Sequence, residues 1–279
     1  MQIRLLALDV DGTLLDTRGQ VRPRVERALG AARERGCAIV LATGRRLQSV
    51  EPIARRLDIR FLILVDGGVI YDRERGEAIY EQTIDPIGLR RGISLAREHT
   101  LGPILFESPA AHGRILVGPA DLDTPEIATY LGRRPEVARL AFDELELQER
   151  VIGMIAMGRR EAVERAGEAA RAEGRWAVVV WEPSRNGYQA DTLSLSPPST
   201  SKGVAFSWLA DRLGVTRPET MAVGDYHNDV SLVAGAGRGI AMGNAVAAVR
   251  AVARAVVADN DNDGVAEAIE AEILRTSPP

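Results

Sequence analysis

The sequence is short of cysteine, histidine and, above all, lysine. A single Cys, Cys37, rules out any disulfide within the chain, and the CxxC pairs of zinc sites are missing. The three histidines, His99, His112 and His227, are scattered, which speaks against a His-rich metal site. No apolar run reaches the length of a membrane span, so no membrane segment is expected. The first apolar run stops at Asp9 and lacks a signal-peptide layout, so a cytoplasmic location is expected. Net charge is −4, so a nucleic-acid partner held by phosphate neutralisation is not expected.

Lysine is the sharpest shortage. Of 35 basic residues, 34 are Arg and one is Lys202. Base composition accounts for the general preference for Arg, but not for the exception. A surviving Lys marks a position where Arg does not serve.

At 279 residues the chain suits about two domains, or one large α/β domain with an insertion. The first 80 residues alternate between two periods. Apolar runs at Ile3–Leu8, Cys37–Ala42 and Phe61–Val65 read as buried strands. Val25, Ala28, Leu29 and Ala32 fall at helical spacing, and a second helix covers 46–57 despite Pro52. This order predicts a parallel sheet with right-handed crossovers. The last 80 residues repeat the theme, with helices over 202–213, 229–234, 245–253 and 264–274. Strands are expected at 221–223, 239–242 and 255–258.

The middle has another texture. Strands are expected at 104–106, 114–117, 151–157 and 176–181, separated by helices at 86–98, 124–131, 135–140 and 160–173. Its charge is mixed, so no polyanionic substrate is implied. The fold class is therefore α/β, with a core at 1–83 and 193–279 and an α+β insertion at 84–192.

Open parallel sheets bind ligands at the carboxyl ends of their strands. Three polar groups end strands, Asp9-Val10-Asp11-Gly12-Thr13, Thr43-Gly44-Arg45 and Gly224-Asp225-Tyr226-His227-Asn228-Asp229, and Lys202 begins a helix; the topology is expected to gather all four at one edge. The carboxylates suit a hard cation such as Mg²⁺. Thr43, nearby backbone N–H groups and Lys202 suit a phosphate. An Asp nucleophile and a second Asp as acid and base complete a phosphoryl-transfer set.

In this order the four groups resemble the four motifs of the haloacid-dehalogenase (HAD) superfamily. Gly243-Asn244-Ala245 and the stretch 260–266 resemble its Cof-type branch, which carries a large α+β cap where the insertion lies. The resemblance implies a Rossmann-like core, a cap that governs selectivity, and a Mg²⁺-dependent phosphatase acting on a small phosphorylated metabolite. It implies Asp9 as nucleophile and metal ligand. Asp11 becomes the acid/base, with its carbonyl on the metal, and Asp225 a further ligand. Thr43, Gly44, Lys202, Asn228 and Arg45 fall on the phosphate or substrate side. Asp229, with Asn228, positions Lys202 or the metal's waters, and Asn244 is a further candidate. One departure is Asp66-Gly67-Gly68, where the family often has Asn-Gly.

Other readings compete. A phosphomutase also uses paired aspartates. The run Asp259-Asn260-Asp261-Asn262-Asp263-Gly264, with Glu270, fits the EF-hand calcium-loop pattern, but the β-branched residues before it read as a strand. His227 is expected at the rim, Cys37 buried, and at most one of Trp176 and Trp181 against substrate. Arg185 and Tyr188, in the polar turn 183–188, are candidates for substrate contact.

Overall fold

The structure is a computed structural model. It describes residues 2–120, 123–132, 134–182 and 190–275. The chain forms two units. One is built from the chain up to Tyr80 and from Ser201 onward; the other runs from Glu81 to Thr200.

In the first unit, β1 (Leu5–Leu8) is buried along its whole length, as a strand covered on both faces must be. It leads to α1 (Pro23–Glu34), whose Val25, Ala28, Leu29 and Ala32 are buried. β2 (Ala38–Ala42), α2 (Leu47–Arg56) and β3 (Phe61–Leu64) follow as expected. β4 (Val69–Asp72) and β5 (Glu77–Glu81) extend the sheet, with β4 antiparallel to β3. The sequence reading missed both. Their apolar runs are short and interrupted by charge.

In the second unit, α3 (Pro86–Glu98) is capped by Asp85, whose carboxylate accepts from the N–H groups of Ile87 and Gly88. The strands are β6 (Gly102–Glu107), β7 (Ile115–Val117), β8 (Val137–Arg139), β9 (Val151–Gly158), β10 (Ala177–Trp181) and β11 (Asp191–Ser196). Their sheet order is β10-β11-β9-β6-β7-β8, antiparallel except for β7 and β8. Helices α4 (Pro125–Leu131), α5 (Phe142–Leu145) and α6 (Arg160–Glu173) complete it. Leu89 and Ile93 of α3 and Ala166 of α6 share an apolar core with Leu105, Met154, Leu193 and Leu195. Each fully buried Leu or Ile contributes about 1.5–3 kcal/mol.

Two expectations need correction here. The helix at 135–140 is strand β8, because a segment that short gains more from the free edge of β7 than from one isolated helical turn. The join placed at 192/193 falls inside β11, which pairs with β9 and β10, so the inserted unit extends to Thr200. The turn 183–188, with Arg185 and Tyr188, lies outside the described residues.

Back in the first unit come α7 (Lys202–Arg212), β12 (Thr220–Gly224), α8 (Val230–Gly235), β13 (Arg238–Ala241), α9 (Ala247–Val252), β14 (Ala255–Val256) and α10 (Gly264–Ile269). The sheet order is β14-β13-β12-β1-β2-β3-β4-β5. β1 lies between β12 and β2, parallel to both. Phe206 and Leu209 of α7 pack on one sheet face with Leu5, Val40 and Ile63. β14 pairs with β13, so the acidic run after it follows a strand, and the helix an EF-hand needs there is absent. No helix among the described residues is long and apolar enough to cross a membrane.

Candidate active site

The sheet topology places the ends of β1, β2, β3 and β12 side by side, and the polar groups gather there. Asp9 leaves β1 buried, its N–H donating to the carbonyl of Val223 at 3.1 Å. The chain then turns through Gly12, at φ +83°. A Cβ at Gly12 would lie 2.6 Å from Asp225 Oδ2, so only glycine lets this turn approach that carboxylate. Thr13, which the sequence reading gave no role, donates from Oγ1 to Asp225 Oδ1 at 3.0 Å. Thr13 is almost fully buried, and its place directly after the Asp11-Gly12 turn is the signal that could have found it.

Lys202 opens α7, capped by Ser201, and is fully buried. Its ammonium donates to Asp9 Oδ1 at 2.6 Å and to Asp229 Oδ1 at 2.7 Å. Asp229 Oδ2 accepts from the backbone N–H groups of Asp225 and Tyr226, at 2.9 and 3.0 Å. Both Asp229 oxygens are thus engaged in holding the turn after β12 and the Lys202 head. Asn244 Nδ2 donates to the carbonyl of Gly12 at 2.8 Å and reaches Asp225 Oδ2 at 3.4 Å. It ties the first motif to the fourth.

Thr43 is buried at the end of β2, and its Oγ1 accepts from the N–H of Arg45 at 3.1 Å. Arg45 grips both oxygens of Asp11, from Nε at 2.8 Å and Nη2 at 2.6 Å. Val65 and Asp66 after β3 both adopt left-handed backbone conformations, a strained state for a β-branched residue. That turn brings Asp66 Oδ1 to 2.7 Å from Asn228 Nδ2. Gly44 leaves room for Asp66, whose oxygen would stand 3.1 Å from a Cβ there. His227 is exposed, Cys37 is buried, and Trp176 lies in the core of the inserted unit.

Burial, and then the charge of Asp229, push the Asp9 carboxyl well above the usual carboxylate range, with Lys202 opposing them. Burial alone would lower Lys202, but Asp229 and Asp9 hold its ammonium above the ordinary lysine value. Asp66 is raised by burial, with Lys202 and the Asn228 hydrogen bond opposing it.

Among the described residues, one acidic group could hold a metal: oxygens of Asp9, Asp225 and Asp229 lie within 4.8 Å of one another. Three carboxylates around one ammonium leave an excess of buried negative charge. This donor set fits a hard divalent cation. The Asp11 side chain is not in that set: its carboxylate is turned to Arg45, and the resemblance implies a metal contact through its backbone carbonyl alone. Asp229 completes the cluster, with its oxygens also accepting from Lys202 and from the N–H groups of Asp225 and Tyr226.

Comparison with known proteins agrees with this geometry. The family model of haloacid dehalogenase-like hydrolases matches residues 6–269. The phosphatase YwpJ of Bacillus subtilis is 30% identical, over 95% of this chain and 98% of its own. The pyridoxal phosphate phosphatase YbhA of Escherichia coli is 27% identical, over 98% and 100%. The chloroplastic endoribonuclease YBEY of Arabidopsis thaliana is 30% identical over 94% of this chain, but the match spans only 45% of that longer protein. Among solved structures, a haloacid dehalogenase-like hydrolase from Bacteroides thetaiotaomicron superposes with a TM-score of 0.80, at 28% identity, covering 97% of this chain and 99% of that one. The site at the end of β1 and the match along nearly the whole chain agree: this chain belongs to the haloacid dehalogenase-like hydrolase family, in its phosphatase branch.

Proposed function

We propose that this enzyme hydrolyses a small phosphomonoester through a phosphorylated Asp9. The observation that carries the reading is the Lys202 bridge between Asp9 and Asp229, set beside Asp225 at the ends of β1 and β12. Asp9 and Asp225, with the backbone carbonyl of Asp11, are the groups to hold Mg²⁺. Bound there, the ion would neutralise phosphate charge so that an anionic nucleophile can approach an anionic ester.

The chain's own residues do the rest. Lys202 and Thr43 hold phosphate oxygens, with Gly44 and Asn228 lining the same pocket. An Asp9 oxygen attacks phosphorus, and the ester P–O bond breaks. Asp11 gives its proton to the departing oxygen, which leaves as an alcohol. Water then attacks the phosphorus, giving its proton to Asp11. The P–O bond to Asp9 breaks, and inorganic phosphate leaves. Arg45 holds both Asp11 oxygens in the structure. An arriving phosphate competes for that guanidinium, and the freed Asp11 carboxylate takes up a proton from solvent before it faces the leaving group.

The inserted unit, residues 81–200, is assigned the choice of substrate. A small phosphorylated metabolite is the expected class, in line with the relative named for pyridoxal phosphate. The test is Mg²⁺-dependent release of phosphate from a panel of such metabolites, abolished in Asp9→Asn. Full activity in Asp9→Asn overturns the reading. An isomerised product without free phosphate would point to a mutase.

A further inference from the structure

The acidic run that mimics a calcium loop takes no part in this chemistry, yet its side chains converge on one target. Asp261 Oδ1 accepts from the N–H of Thr17 at 2.9 Å, and both its oxygens accept from Thr17 Oγ1 at 3.0 Å. Asn260 Nδ2 donates to the carbonyl of Leu15 at 2.8 Å. Asp263, itself left-handed at φ 61°, accepts from Arg22 Nε at 2.6 Å. These partners lie 241 to 245 residues apart in sequence and fall along one short stretch, 15–22.

That stretch begins just after Asp11. It has no regular secondary structure, only isolated bridges from Leu15 to Asp11 and to Val21. Asp16 closes its tip by accepting from the N–H groups of Arg18 and Gln20, each at 2.9 Å. Buried Leu15 and Val21 hold its two ends, but the exposed tip between them carries only turn bonds and is mobile unless something else fixes it. Carboxylate acceptors on backbone N–H groups are among the stronger hydrogen bonds available for that task. The Asp261 carboxyl is held below its usual range, first by the Thr17 backbone bond, as expected of an acceptor in use.

We propose that the 259–263 loop is a positioning element for catalysis: through Leu15 and Thr17 it sets Asp11 against the leaving oxygen. Asp261 and Asn260 are positioning residues, acting on Asp11 through the segment they hold. The inference rests on the reading of Asp11 as proton donor. An error of about 1 Å in such a group costs roughly 100-fold in rate.

The test compares two esters. p-Nitrophenyl phosphate loses a leaving group that needs no proton. The best alkyl phosphomonoester from the metabolite panel needs one. kcat/KM, which reports leaving-group departure, is measured for both in Asp261→Ala, Asp261→Asn, Thr17→Val and Asp11→Asn, alongside thermal melts. Asp261→Ala is expected to lose about tenfold or more on the alkyl ester and clearly less on the aryl ester. Asp261→Asn, which keeps an acceptor for Thr17, should recover most of the loss. Thr17→Val should repeat the selectivity in a milder form, and it carries the test if Asp261→Ala does not fold. Equal losses on both esters, or none, overturn the inference. If Asp11→Asn is selective and the loop variants are not, only the loop's role falls. If Asp11→Asn is itself unselective, the reading of Asp11 fails and takes this inference with it.

Discussion

Lys202 Nζ stands 2.6 Å from Asp9 Oδ1, across 193 residues of sequence and away from all solvent. The compact ammonium fits between two carboxylates, where a broad planar guanidinium would crowd the approach of a phosphate. Lys202→Arg should therefore lower turnover by about 100-fold while circular dichroism shows the fold retained. Turnover near the wild-type level would make the lone lysine an accident of composition.

Asp66 is the place to look for substrate affinity. Asn tolerates the left-handed conformation as Asp does, and its amide oxygen can still accept from Asn228. Asp66→Asn removes a negative charge near Lys202, whose field Asp66 shares. KM for an anionic ester should fall by about 3- to 10-fold, with an unchanged melting temperature. A higher KM would show that the carboxylate recruits substrate. Asp66→Val, which combines β-branching with this backbone, should lower the melting temperature as well.

Asp72 should govern part of the acid stability. It is buried in β4 and accepts from Arg60 Nε at 3.0 Å and Nη2 at 2.7 Å. Burial alone would raise its carboxyl, but the Arg60 hydrogen bonds and those of nearby N–H groups hold it below 3.8. A depressed carboxylate stabilises the fold above its unfolded value and ceases to do so as pH falls through its folded one. Asp72→Asn should cost about 1–3 kcal/mol at pH 7. In thermal melts the gap to wild type should narrow below about pH 4. A gap that is constant with pH would remove the charge from the explanation.

Cys37 should resist thiol reagents. Burial pushes its thiol up to about 12, leaving almost no thiolate at pH 8. A dithiobis-nitrobenzoate assay should find no reactive thiol in the native protein and one per chain in urea. Fast native labelling would contradict the burial.

The core and its site were legible because their signals are local. Buried parallel strands are unbroken apolar runs, and Asp9, Thr43 and Asp225 each follow one. Lys202 was marked by composition before any motif was considered. The hairpin β4–β5 was missed because charge interrupts its short runs, and β8 because its residues become a strand only beside β7. The pairing of Asp11 with Arg45 was invisible for another reason. Nothing in Thr43-Gly44-Arg45 says whether the guanidinium faces a phosphate or a neighbouring acid. The calcium-loop pattern shows the converse. Its spacing is real, but the acids are spent on Thr17 and Arg22, which only the tertiary fold brings near.

The contact between Gly12 and Asp225 also sets a clock. Asp9 and Gly12 leave the ribosome before Lys202, Asp225 and Asn244, which follow more than 190 residues later. Until the later strand β12 slides in beside β1, Asp9 has no ammonium, no companion carboxylate and no bracket over its turn. A nascent chain therefore carries an unpartnered Asp9 until the segments on either side of residues 81–200 have met.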